Sequence, residues 1–114
     1  MQTYRVPQSR CRFGIATADM TPPVGIYHRM WGAARHDRAT GVHRPLVMTA
    51  AVFQAFDAEA SPSAVQEQIL LSLDHCILGN AELERIEQAI LAESRLEGAQ
   101  LAIVCSHTHG AGLL

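Results

Sequence analysis

The stretch QILLSLDHCILGNAELERIEQAILAESRLEGAQLAIVC, residues 68–105, decides the fold. It opens with Gln68 to Leu73, a short and nearly continuous apolar run. Such a run is the pattern of a strand buried on both faces. The period then changes. Asn80 stands where a helix N-cap belongs, with Glu82 and Glu84 just after it, where acids favour the positive end of the helix dipole. Leu83, Ile86 and Ile90 recur at i, i+3 and i+7, one helix face read as core packing. The helix is predicted to run to about Ser94, with Gly98 beyond its end. Ala99 to Cys105 returns to a short apolar strand.

A strand, a helical crossover and a second strand make a parallel pair, which by rule is right-handed. Parallel strands present their carboxyl ends on one sheet edge, where ligands of open α/β sheets bind. Asp74-His75 follows the first strand and Ser106-His107-Thr108-His109 follows the second. Upstream, Arg12 to Ala18 reads as a strand stopped by Pro22-Pro23, and Leu46 to Phe56 as another. Asp57 to Ala64 reads as a turn or surface loop. The segment Val24 to Arg44 has no period and carries His28, His36 and His43. At about 20 residues it is long for a structureless connection, and such loops are often functional. The predicted fold is α/β: a mixed sheet with a C-terminal strand-helix-strand unit, a partial domain spanning residues 1–114.

Composition bounds the function. A chain of 114 residues holds one domain at most. The net charge of -2 and the absence of a basic patch argue against nucleic acid as a partner. No apolar run approaches about 18 residues, so no membrane span is expected. Met1 to Cys11 has no apolar core of a signal peptide. Three cysteines, Cys11, Cys76 and Cys105, form no CxxC pair and read as thiols in a reducing, cytoplasmic setting.

The strongest chemical signal is His107-Thr108-His109. In an extended chain, residues i and i+2 point to the same side, so both imidazoles could serve one metal or one metal and a substrate. The alternative for the same spacing is a polar turn. Small residues follow at Gly110, Ala111 and Gly112, which permit close approach of backbone or ligand.

Five elements in order then resemble the neutral/alkaline non-lysosomal ceramidases. Gly14-Ile15-Ala16-Thr17-Ala18-Asp19-Met20-Thr21-Pro22-Pro23 is similar to that family's opening motif. Met30-Trp31-Gly32, Thr40-Gly41-Val42-His43-Arg44-Pro45-Leu46, Leu71-Ser72-Leu73-Asp74 and Cys105-Ser106-His107-Thr108-His109 follow in the family's order. Arg44 stands where the family has Asp. The resemblance implies hydrolysis of N-acylsphingosine, or another lipid or small amide, to a fatty acid and an amine. It implies zinc as cofactor, His107 as a metal ligand and His109 as a catalytic contact to the reacting oxygen. Gly32 and His43 are implied to lie beside the substrate. The family's other zinc ligands lie beyond this motif, so the chain is expected to be an N-terminal portion, inactive alone and weak in zinc binding.

Plainer readings stand beside these. His43 could stabilise its turn, and Asp74-His75 could cap a strand end or support the site from behind. His28 and His36 read as solvated loop residues, and Arg29, Arg35 and Arg38 as solubilising charges. Cys11, Cys76 and Cys105 read as inert thiols. The rivals are another H-x-H metallohydrolase and a non-enzymatic small domain or inactive gene fragment. A sheet stopped at its last strand would also offer an unpaired edge for self-association.

Overall fold

The computed structural model describes residues 10–29, 31–56, 67–94, 96–97 and 100–113. The expected turn at 57–64, Met30, Gly98, and the start of the last strand at Ala99 fall outside them. Four strands and one helix follow in chain order: β1 (Cys11–Asp19), β2 (Val47–Ala55), β3 (Glu67–Leu73), α1 (Asn80–Glu93) and β4 (Leu101–Cys105). They build one mixed sheet in the order β1-β2-β3-β4. The first two pairings are antiparallel and the third, β3 with β4, is parallel. The mixed α/β sheet with its strand-helix-strand unit is therefore as the sequence predicts.

Register sorts the side chains onto two faces. Phe13 pairs with Phe53, Ala51 with Leu70, and Ser72 with Val104. One face thus carries Phe13, Ile15, Phe53, Leu70 and Val104, all between 39% and 65% exposed. The Phe13 and Phe53 rings meet at 5.2 Å in a tilted pair, the favoured aromatic geometry. The opposite face holds Leu71 and Leu73, which are buried. The expectation that Gln68 to Leu73 is buried on both faces fails for this reason. Its residues alternate, because only one side of the sheet is covered.

The helix also departs from expectation in two details. Its N-cap is Gly79, whose extended backbone (φ −74°, ψ 165°) starts the first turn, and Asn80 is already helical. Glu82 folds back so closely that a Cβ on Gly79 would collide with its carboxylate. A side chain at position 79 is therefore excluded unless Glu82 moves aside. Leu83, Ile86 and Ile90 do lie on the less exposed face, but no helix residue is fully buried. The stripe is a half-covered flank, not a core.

The segment between β1 and β2 is more ordered than its sequence suggests. Gly25 N–H donates to Ala39 O, Ala39 N–H to Ile26 O, and His28 N–H to Asp37 O. These bonds and an antiparallel bridge from Tyr27 to Arg38 make a short arm. Arg29 pairs with Asp37 at 3.0 Å, and Arg38 donates to the Gly25 carbonyl. Two of the three arginines read as solubilising charges therefore bind the arm together. Gly25 sits at φ 95°, a backbone that favours glycine. The C-terminal turn crosses the arm: Leu113 N–H donates to Tyr27 O, and Ala111 is buried. A Cβ at Gly112 would strike Ile26, so this glycine permits close packing against the arm.

Candidate functional site

The site forms where β3 and β4 end side by side. Leu73 is level with Cys105, which brings Asp74 opposite Ser106. Backbone bonds prolong the pairing: Ser106 N–H donates to Leu73 O and Thr108 N–H to His75 O. Asp74 ties three strands at this edge. One carboxylate oxygen accepts from Val47 N–H at 2.9 Å, and the other from Ser106 Oγ at 3.0 Å. Asp74 is thus a strand-end clasp, with both oxygens committed to the scaffold.

Beyond the clasp the chain does not stay extended. His107 lies at φ 63°, the left-handed region, which histidine tolerates better than most residues but still at a cost. The two imidazoles converge, though by this turn and not by strand alternation. His107 Nε2 and His109 Nε2 are 3.4 Å apart, with the rings edge to face. His107 Nδ1 lies 3.1 Å from the carbonyl of Cys76. A carbonyl only accepts, so Nδ1 carries the proton and Nε2 is left with a lone pair. A histidine anchored through one nitrogen in this way is the usual posture of a metal ligand.

Cys76 completes a group of three. One donor atom from each of Cys76, His107 and His109 lies within 4.8 Å of the other two. Zinc in tetrahedral nitrogen coordination sets its ligands about 3.3 Å apart, and a thiolate about 3.6 Å from a nitrogen. The imidazole pair already has that spacing, and the Cys76 thiol lies 3.9 Å from His107 Nδ1. The donor set fits zinc: two imidazoles, a soft thiolate, and room for a fourth ligand. Cys105, the neighbouring thiol, has its pKa raised, first by burial and second by the charge of Cys76. It stays protonated, as a strand thiol should. Sequence spacing alone gives no hint of Cys76, because its proximity depends on the parallel register of β3 and β4.

Next to this group opens a cavity of about 660 Å³. That volume suits a ligand of ordinary small-molecule size. His109 and Thr108 line it on one side, and the arm and residues 39–46 on the other. The Trp31 ring stands 5.1 Å from that of His109. His43 lines the cavity. Gly32 does not itself line it, although its neighbours Trp31 and Ala33 do. His28 and His36, read from sequence as solvated, are also in the wall, with rings 4.6 Å apart and His28 Nε2 buried without a partner among the described residues.

His75 is the one buried polar residue of the described core, at 4% exposure. Neither ring nitrogen has a hydrogen-bond partner among the described residues. Its backbone carbonyl holds Thr108, so the residue supports the His107 turn from beneath. The chain matches no protein-family model, no curated protein and no solved structure.

Proposed function

We propose that this chain carries the metal-binding edge and the substrate cavity of a zinc-dependent amide hydrolase resembling the neutral ceramidases. The observation that carries the reading is the convergence of His107 and His109 at 3.4 Å, with His109 facing the cavity. The reaction adds water across an amide: oxygen joins the acyl carbon, the C–N bond breaks, and the amine leaves with the proton. Zinc, when bound, supplies Lewis-acid activation of water and carbonyl.

The chain's own residues supply the rest. His107 Nε2 and the Cys76 thiolate hold the metal, and the Cys76 carbonyl fixes the His107 tautomer. His109 stands between the metal edge and the cavity, where it donates to the oxyanion that develops on the acyl oxygen. The apolar wall beside Trp31 shelters an acyl chain and excludes water, which suits a lipid amide such as N-acylsphingosine. A cytoplasmic setting would keep Cys76 reduced for this task. Among the described residues no helix is long and apolar enough to cross a membrane. The uncovered face of the sheet and its β1 edge are proposed to meet a second copy of the chain.

A second reading assigns all three groups to the metal, because the imidazole spacing already equals that of two ligands of one zinc. Zinc content, measured by mass spectrometry on wild type, His107→Ala, Cys76→Ser and His109→Ala, separates the two. Stoichiometric zinc lost in the first two variants and kept in the third supports the catalytic role of His109. Loss in all three supports the three-ligand site. Zinc affinity, titrated at neutral pH, that neither His107→Ala nor Cys76→Ser lowers would sink both. Bound zinc should also fall away as pH is lowered, because protons compete for the same lone pairs.

A further inference from the structure

The charge of the cavity wall is one-sided. Among the described residues that line it there is no Asp and no Glu. The lining includes two arginines, Arg35 and Arg44, and neither has an acidic partner among the described residues. His36 and His43 stand with them. Arginine is always charged and its planar fork matches a carboxylate or a phosphate. Much of the remaining wall is of the opposite character: Val24, Ile26, Trp31, Val42 and Leu46 are apolar. A cavity with a cationic rim and an apolar lining discriminates against cationic ligands and favours anionic ones. The acidic residue nearest in sequence, Asp37, is engaged by Arg29 on the arm and does not neutralise the rim.

From this we propose that the cavity selects anionic amphiphiles, so that the amide hydrolysed is an N-acyl compound with a carboxylate or phosphate on its amine half. The acyl chain would lie against Val24, Val42 and Leu46, and the anion would meet Arg35 and Arg44. The proposal rests on reading the cavity as the substrate site of the hydrolase. It narrows the substrate class from lipid amides in general to acidic ones.

Trp31 is the sole tryptophan of the chain and stands in the cavity wall, so its fluorescence reports occupancy directly. Four probes of equal chain length would be titrated into the metal-free protein, below their micelle thresholds. They are N-dodecanoylglycine, dodecyl phosphate, neutral N-dodecanoylethanolamine and dodecyltrimethylammonium. The expected result is that the two anions bind about tenfold or more tighter than the neutral amide. The advantage should shrink with added salt, because both arginines are exposed. Arg35→Gln with Arg44→Gln should remove it while leaving the neutral probe's affinity in place, and Arg44→Glu should shift preference toward the cation. Tighter binding of only one anion tells carboxylate from phosphate. Equal affinity of anionic and neutral probes overturns the proposal and leaves the hydrolase reading intact. An anion preference retained by a protein whose zinc affinity His107→Ala leaves unchanged does the reverse. Failure of all four probes to bind overturns the cavity's role and the substrate class together.

Discussion

At His107 the backbone turns through φ 63° to bring Nε2 against its neighbour, 3.4 Å from His109. A non-glycine residue held there carries about 1 kcal/mol or more of strain. Glycine would relieve the strain but remove the ligand, whereas alanine would remove the ligand and keep the strain. His107→Gly is therefore expected to unfold at higher denaturant than His107→Ala, by about 1 kcal/mol, with both losing zinc. Equal stabilities would mean that the left-handed turn is not strained. Zinc retained in either variant would remove His107 from the ligand set. The pairing of the two histidines is legible in the sequence as an H-x-H, but the reason given by strand alternation is wrong. A left-handed turn leaves no periodic trace, and Cys76 leaves none either. It comes near His107 only because two strands distant in sequence end level with each other. Asp19 follows a simpler local rule. Its pKa is lowered first by the Thr21 side-chain hydroxyl and second by Thr21 N–H, which donates to the carboxylate at 2.7 Å. A lowered folded-state pKa stabilises the native state above the ordinary carboxylate pKa, and that benefit is lost as pH falls through the lowered value. Asp19→Asn should accordingly lower stability at neutral pH and flatten the acid limb of the profile, so that the two proteins converge at low pH. An unaltered acid limb would count against the bond.

At the scale of elements, the strands and the helix are where apolar period and β-branched content place them. Leu46 to Phe56 becomes β2 at Val47–Ala55, and Gln68 to Leu73 becomes β3 at Glu67–Leu73. The helix of Leu83, Ile86 and Ile90 runs over Asn80–Glu93. Periodicity reports local geometry, so these survive. It does not report which sheet face finds a cover, which is why Leu70 is half-exposed despite lying in an apolar run. The arm from Gly25 to Ala39 was illegible because its bonds join alternating backbone groups with no apolar pattern above them. The joint between elements is Asp74, a single side chain that holds the start of β2 and the loop after β4. Asp74→Ala removes two hydrogen bonds to a charged acceptor and should cost about 2 kcal/mol in stability. It should also weaken zinc binding, because Ser106 is released next to the His107 turn. A destabilised variant with unchanged zinc affinity would confine Asp74 to the scaffold.

For the whole molecule, the surface is larger than its mass requires. The accessible area is 8980 Å², against about 6,100 Å² for a closed monomer of this mass. The radius of gyration is 18.6 Å, against about 13 Å for a compact chain of this length. The face bearing Phe13, Ile15, Phe53, Leu70 and Val104 carries a charge within β1 and β2 only at Asp19, at one end. An apolar, nearly uncharged face is complementary to itself, and β1 adds an edge that is exposed along its whole length. Self-association is thus expected by sedimentation, rising with protein concentration. Phe13→Glu and Ile15→Lys each set a charge into the contact from the edge strand, where the fold tolerates it best, and each should shift the population to monomer. Because β2 separates β1 from the ends of β3 and β4 where His107 lies, zinc content should not change. A wild type that stays monomeric at every concentration would exclude a second copy as the cover for this face. Association that survives both substitutions would move the contact away from β1, to the free edge of β4 beside Cys105.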